Sequence, residues 1–236
     1  MADIDLLALL RGQFRVLEET RPKIGGVTLG IVTDTDDELG LGRVKVTMPW
    51  LSETVESAWA RIAVPWAGQG MGSYFLPEVN DEVVLSFRHG DLANPYIIGF
   101  VWSAQSPPPQ PSPRAGQREL RSKTGHKLQF DDLDGHRSVA LHSSSGHTVT
   151  LDDRKDGPKV TIADANRNLS VTLDVTARTV TVLANGPSNA PGRIALRAPG
   201  GSIDLEADSV SIRASQVSLG TGQGEVKVSG NPIRLN

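Results

Sequence analysis

The chain has 236 residues, a formal charge of −3 and no cysteine. Its length holds one or two domains. The charge excludes a global basic field for nucleic acid or anionic membrane, and the missing cysteine excludes disulfides and thiolate metal sites. No apolar run approaches the ~20 residues that span a bilayer. Met1-Ala2-Asp3-Ile4-Asp5 lacks the basic start and apolar core of a signal peptide, so the expectation is a soluble chain not exported by the general route.

Residues 1–26 read as a helical arm. Ile4, Leu7, Leu10, Phe14 and Leu17 recur at helical spacing within residues 4–19, and Pro22 with Gly25-Gly26 stops the pattern. The segment either packs on its own domain or docks another subunit. Residues 27–102 read as a β domain with strands at Val27–Thr33, Arg43–Met48, Ala58–Val64, Glu82–Phe87 and Tyr96–Trp102. All four Trp and both Tyr lie here (Trp50, Trp59, Trp66, Trp102, Tyr74 and Tyr96), which predicts an aromatic-filled core. Five short strands in this length fit a small closed barrel of the oligonucleotide/oligosaccharide-binding (OB) type. Residues 103–118 form a linker whose five prolines between Pro107 and Pro113 favour an extended, semi-rigid spacer.

Residues 119–236 are one short strand after another. Strand centres fall at Leu128, Val139, Val149, Val160, Val171, Val180, Ile194, Ile203, Val210, Val217 and Val226. Apolar and polar residues alternate in most of them, as in Leu169-Ser170-Val171-Thr172-Leu173, the period of a strand with one buried face. Asp134-Gly135, Gly146, Asp156-Gly157 and Asn185-Gly186 supply turns between them. After Trp102 the only aromatic is Phe130. A sandwich core about 10 Å thick would use more aromatics. A thin core of Val, Ile and Leu suits stacked rungs, so the segment reads as a β-helix-like rod intertwined in a homo-oligomer. An ordinary antiparallel sandwich remains the alternative.

Specific residues then resemble a known family. Gly42-Arg43-Val44-Lys45-Val46 with Pro49-Trp50, Trp59-Ala60-Arg61-Ile62-Ala63 and Trp66-Ala67-Gly68 look like successive segments of the OB barrel in contractile-injection spike proteins. Pro77-Glu78-Val79-Asn80-Asp81-Glu82-Val83 and Gly90-Asp91-Leu92-Ala93-Asn94-Pro95 through Gly99 resemble its later strands. Arg121-Ser122-Lys123-Thr124-Gly125-His126-Lys127-Leu128-Gln129-Phe130-Asp131-Asp132 resembles the entry into its β-helix. The family comprises phage baseplate central spikes and the VgrG proteins of type VI secretion. The resemblance implies a homotrimer whose barrels form a collar and whose three chains wind into a tapering β-prism. It implies assembly in the cytoplasm into a particle baseplate, transient contact with a target membrane, and no enzyme activity. VgrG proteins carry a large hub domain ahead of the barrel, whereas only the arm precedes it here, so the hub would be a separate tail protein at the barrel end. The last histidine is His147, so no apical metal is expected, and Ile233 with Leu235 suit a PAAR-type tip protein.

No catalytic, cofactor or metal residue is assigned. His126, His136, His142 and His147 match no tetrahedral signature. Asp131-Asp132-Leu133-Asp134-Gly135 and Asp152-Asp153-Arg154-Lys155-Asp156-Gly157 lack the carboxylate order of an EF-hand and read as turns. Ser143-Ser144-Ser145 lacks a nucleophile elbow. Arg43, Lys45, Arg61 and Arg88 are balanced by acidic neighbours, which argues against nucleic acid. The sequence therefore predicts a structural spike. A glycan-binding surface β-helix and a nucleic-acid-binding OB barrel stand as the other classes.

Overall fold

Alternating apolar residues close the first part of the chain on itself. A computed structural model describes residues 23–111, 113–187, 189–220 and 226–230, and divides the chain into units 1–118 and 119–236. The helix expected over residues 4–19 lies outside the described residues.

The first unit contains β1 (Thr28–Asp34), β2 (Lys45–Met48), β3 (Ser52–Glu56), β4 (Arg61–Ile62), β5 (Ala67–Gly68), β6 (Met71–Gly72), β7 (Glu82–Phe87) and β8 (Pro95–Val101). Six of them form a sheet in the order β3-β2-β1-β7-β8-β4. β4 runs parallel to β8, pairing Arg61 with Tyr96 and Ile62 with Ile97. Val44 and Ala60 exchange backbone hydrogen bonds of 3.0 and 2.7 Å, tying the entry of β4 to that of β2. That bridge closes β2, β1, β7, β8 and β4 into a ring and leaves β3 as an outer strand on β2. The strand expected over Ala58–Val64 reduces to this bridge plus β4. β3 and the β5–β6 hairpin were not expected from the sequence.

The interior is aliphatic. Val32, Val44, Val46, Ala60, Val83, Leu85 and Ile97 have no exposure, and Met48 and Phe87 complete the cluster. Gly30 makes room for it: a Cβ there would lie 2.7 Å from the Leu85 Cδ1. The expected aromatic-filled core is therefore corrected. Trp50, Trp66, Tyr74 and Trp102 are more than half exposed, and Phe87 is the one aromatic in the buried cluster. So small a barrel is too narrow for stacked indoles, and β-branched side chains fill it instead.

The β1–β2 loop is pinned by one carboxylate. The Asp37 side chain accepts from the backbone N–H of Leu39, Leu41 and Arg43 and from the Arg43 guanidinium. The guanidinium, and then these amides, hold the carboxyl well below the usual carboxylate range.

The second sheet has β9 (Gln117–Arg121), β10 (Lys127–Asp131), β11 (Ser138–His142), β12 (Thr148–Asp152), β13 (Lys159–Ala163), β14 (Leu169–Asp174) and β15 (Thr179–Ala184). Neighbours in sequence are neighbours in the sheet. The described residues after β15 hold no strand, although centres were expected at Ile194, Ile203, Val210, Val217 and Val226. A strand exists only with a partner, and among the described residues no other segment supplies one.

Candidate assembly surface

The register of the second sheet sorts its side chains into two chemically opposite faces. One row across the strands is Leu128, Leu141, Val149, Ile162, Val171 and Val182. A second row, on the same face, is Phe130, Val139, Leu151, Val160, Leu173 and Val180. The other face carries Gln129, Ala140, Thr150, Thr161, Thr172 and Thr181 in one row. Strict alternation with a register free of bulges from β10 to β15 produces this separation.

Much of the apolar face is exposed among the described residues, with Ile194 beside Ile162, Val171 and Val182 at one end. Leu141 and Ile162 are each 52% exposed and Val180 is 70% exposed. The second unit's buried apolar residues are Ala140 and Ala163, both on the polar face. Single exposed aliphatics are ordinary, whereas a contiguous apolar face marks an interface. The pattern continues past β15. Ile194 and Leu196, Ile203 and Leu205, Val210 and Ile212, Val217 and Leu219, and Val226 and Val228 form pairs one residue apart, 50–72% exposed. Each pair repeats the alternation of β10–β15 in residues that form no strand.

The barrel carries a smaller apolar feature. Leu41, Ile62, Trp66, Met71, Tyr74 and Phe75 line a groove of about 610 Å³. Gly42, at φ +68°, lets the Tyr74 ring fold over it, and Gly68 does the same for Met71. Of the aromatics assigned to the core by sequence, Trp66 and Tyr74 thus line this groove. Their placement at turn glycines rather than at alternating strand positions was the available signal.

Two of the barrel's basic residues are paired with carboxylates. Arg43 pairs with Asp37, and Lys45 lies 3.2 Å from Asp34 and 3.4 Å from Glu56. Both cations stand over the half-buried Trp59 ring, at 5.5 and 4.8 Å from its centroid. A single-strand binder would leave ring and cations free for bases and phosphates.

The remaining sequence candidates fall into turns or at strand ends. His126 Nδ1 accepts the Ser144 N–H at 3.1 Å. His142 is shifted downward, by partial burial first and by Lys127 second, with Glu119 opposing. The structure brings none of the four histidines into a metal group with other ligands among the described residues. Asp131 and Asp152 accept the N–H two residues on, from Leu133 and Arg154. Asp152 also pairs with the Arg154 guanidinium, the main cause of its lowered pKa. These are Asx turns. The Ser143 hydroxyl accepts the His147 N–H and contacts the Ser145 hydroxyl, so the serines serve a turn. No helix among the described residues is long and apolar enough to cross a membrane.

A family described as the type VI secretion system/phage-baseplate injector OB domain matches residues 28–102. The type VI secretion system spike protein VgrG3 of Vibrio cholerae is 32% identical over 137 residues, 52% of this chain and 14% of the relative. VgrG4b of Pseudomonas aeruginosa is 31% identical over 142 residues, covering 54% of this chain and 18% of the relative. VgrG1a of the same organism is 30% identical over 148 residues, 55% of this chain and 23% of the relative. The chain thus spans less than a quarter of the length of these curated relatives.

Proposed function

We propose that this chain, a VgrG-like baseplate spike protein with an injector OB domain at residues 28–102, acts as the central spike of its particle and assembles as a homotrimer. The observation that carries the reading is the exposed apolar face of β10–β15, whose alternation continues in the described residues 193–220 and 226–228 without a strand. Three copies bring these faces together around an axis and complete one another's strands. Each buried Å² then contributes roughly 25 cal/mol, and every backbone group gains a partner.

The role is mechanical rather than catalytic. The domains are a helical arm (1–26), a barrel (27–102), a linker (103–118) and a trimeric β-helix (119–236). A separate tail-hub protein joins the barrel end and a PAAR-type tip protein caps the other. Contraction drives the trimer against a target membrane, and a rod with interchain pairing resists unfolding under that load. The particle assembles in the cytoplasm.

The test is assembly of substituted chains. Val210→Asp or Val217→Asp puts a charge in the thin core and prevents trimer formation. A stable soluble trimer from either variant overturns the inward placement of these residues.

A further inference from the structure

The turns at one edge of the second sheet repeat each other bond for bond. In the β9–β10 turn, Ser122 N–H donates to His126 O at 2.8 Å, Gly125 N–H to Ser122 O at 3.0 Å, and His126 N–H to Ser122 Oγ at 3.1 Å. In the β11–β12 turn, Ser143 N–H donates to His147 O at 2.9 Å, Gly146 N–H to Ser143 O at 3.0 Å, and His147 N–H to Ser143 Oγ at 2.9 Å. The offset is 21 residues, and the sequence pattern is Ser-x-Thr/Ser-Gly-His in both. Gly125 and Gly146 sit at φ +95° and +92°, where a side chain is strained.

The third turn at this edge keeps the three-bond scheme with different residues and one more residue, closing on Leu169 five positions after Asp164. Asp164 N–H donates to Leu169 O at 3.0 Å, Arg167 N–H to Asp164 O at 3.0 Å, and Leu169 N–H to Asp164 Oδ1 at 2.6 Å. Asp164 replaces the serine, and Arg167 takes the positive φ of +56°. The turns at the opposite edge follow the same period: Asp131 and Asp152, separated by the same offset, each accept the N–H two residues on. The first turn also touches the second, through the Ser144 N–H donated to His126.

We infer that this 21-residue unit of two strands and two turns is an interchangeable module, and that the number of modules sets the span of the sheet. A unit of this size contacts only its neighbours, so stability adds by units and interfaces. The unit also preserves the alternation: Leu128 and Val149, and Leu141 and Ile162, stand one unit apart on the same face.

Two deletions that differ by one residue test this. Removal of Phe130–Thr150 takes out one whole unit and joins Gln129 to Leu151, in register with the apolar face. Removal of Phe130–Val149 is shorter by one residue and joins Gln129 to Thr150, which turns Leu151 to the polar face. The chain has no cysteine, so Lys123→Cys and Ala165→Cys can carry spin labels in the full-length protein, diluted by co-refolding with unlabelled chain. The two turns are four strand spacings apart in the parent, ~19 Å, and two apart after the whole-unit deletion, ~10 Å. The expected result is a folded chain with the parent's oligomeric state and strong dipolar broadening for the whole-unit deletion, and loss of the folded sheet for the shorter one. Duplication of Phe130–Thr150 extends the label distance to ~29 Å. Failure of the in-register deletion and the duplication to fold, or equal tolerance of both deletions, overturns the module. A change of oligomeric state shared by parent and variants bears on the trimer and leaves the label distance to decide the module.

Discussion

The barrel and the second sheet use the same aliphatic alphabet and the same alternation, yet they end in opposite states. In the barrel, seven aliphatic residues reach zero exposure because the bridge between Val44 and Ala60 curls the sheet onto itself. In the second sheet, seven of the twelve apolar residues in the two rows stay exposed because β9–β15 form a meander that does not close on itself. Hydrophobic patterning specifies which face wants burial. Closure decides whether the chain meets that demand alone or hands it to another copy.

The contrast is sharpest under paired core substitutions. Leu85→Ala opens a cavity inside the barrel and destabilises it by about 2–5 kcal/mol, read as a lower midpoint in urea for the barrel's tryptophan signal. Leu151→Asp, on the open face, leaves the strands of an isolated chain intact but abolishes assembly. A threefold fall in light-scattering mass with unchanged far-UV circular dichroism records that outcome. Loss of secondary structure on Leu151→Asp would mean that the sheet is covered within its own chain.

The turns distinguish the regions next. Gly146→Ala forces a side chain into the left-handed region, with its Cβ 3.0 Å from the Ala165 Cβ. The cost is about 1–2 kcal/mol, and thermal melting of the second sheet should fall while the barrel transition stays. In the barrel, the loop held by Asp37 responds to pH. Its carboxyl is lowered in the folded chain, so its contribution is complete above the ordinary aspartate pKa of ~3.9 and is lost as pH falls through the lowered value. Hydrogen exchange at Leu39, Leu41 and Arg43 therefore stays slow until strongly acid pH. In Asp37→Asn those amides exchange faster at every pH. The smallest effect belongs to Arg137→Ala. Its partner Asp134 is almost fully exposed, and a pair of that kind contributes below ~1 kcal/mol, so the urea midpoint barely moves.

Much of this could be read from the residues, for a physical reason. Six strand centres, from Leu128 to Val180, fall inside β10–β15 because a two-residue period has one structural meaning once glycines and aspartates punctuate it. The motifs around Gly42-Arg43, Asp81-Glu82 and Gly90-Asp91 pointed to the injector barrel that the family comparison assigns to residues 28–102. β3 was missed because Ser52–Glu56 has Val55 as its lone apolar residue, and that residue is 62% exposed. The aromatics were misplaced because composition counts rings without saying whether strands or turns carry them. The described residues after β15 form none of the expected strands because their hydrogen bonds need partners. The 21-residue unit escapes notice when strands are taken one at a time. Its signature lies in the turns, where Ser122 and Ser143 make the same bonds.

The most direct measurement is the absolute mass of the full chain in solution, by light scattering after gel filtration, with and without heating in detergent. The chain weighs 25.2 kDa. Three times that mass is expected, persisting in detergent before heating. A well-folded 25.2 kDa monomer would contradict the trimer, since the apolar face of β10–β15 would then stand in water with no copy to cover it.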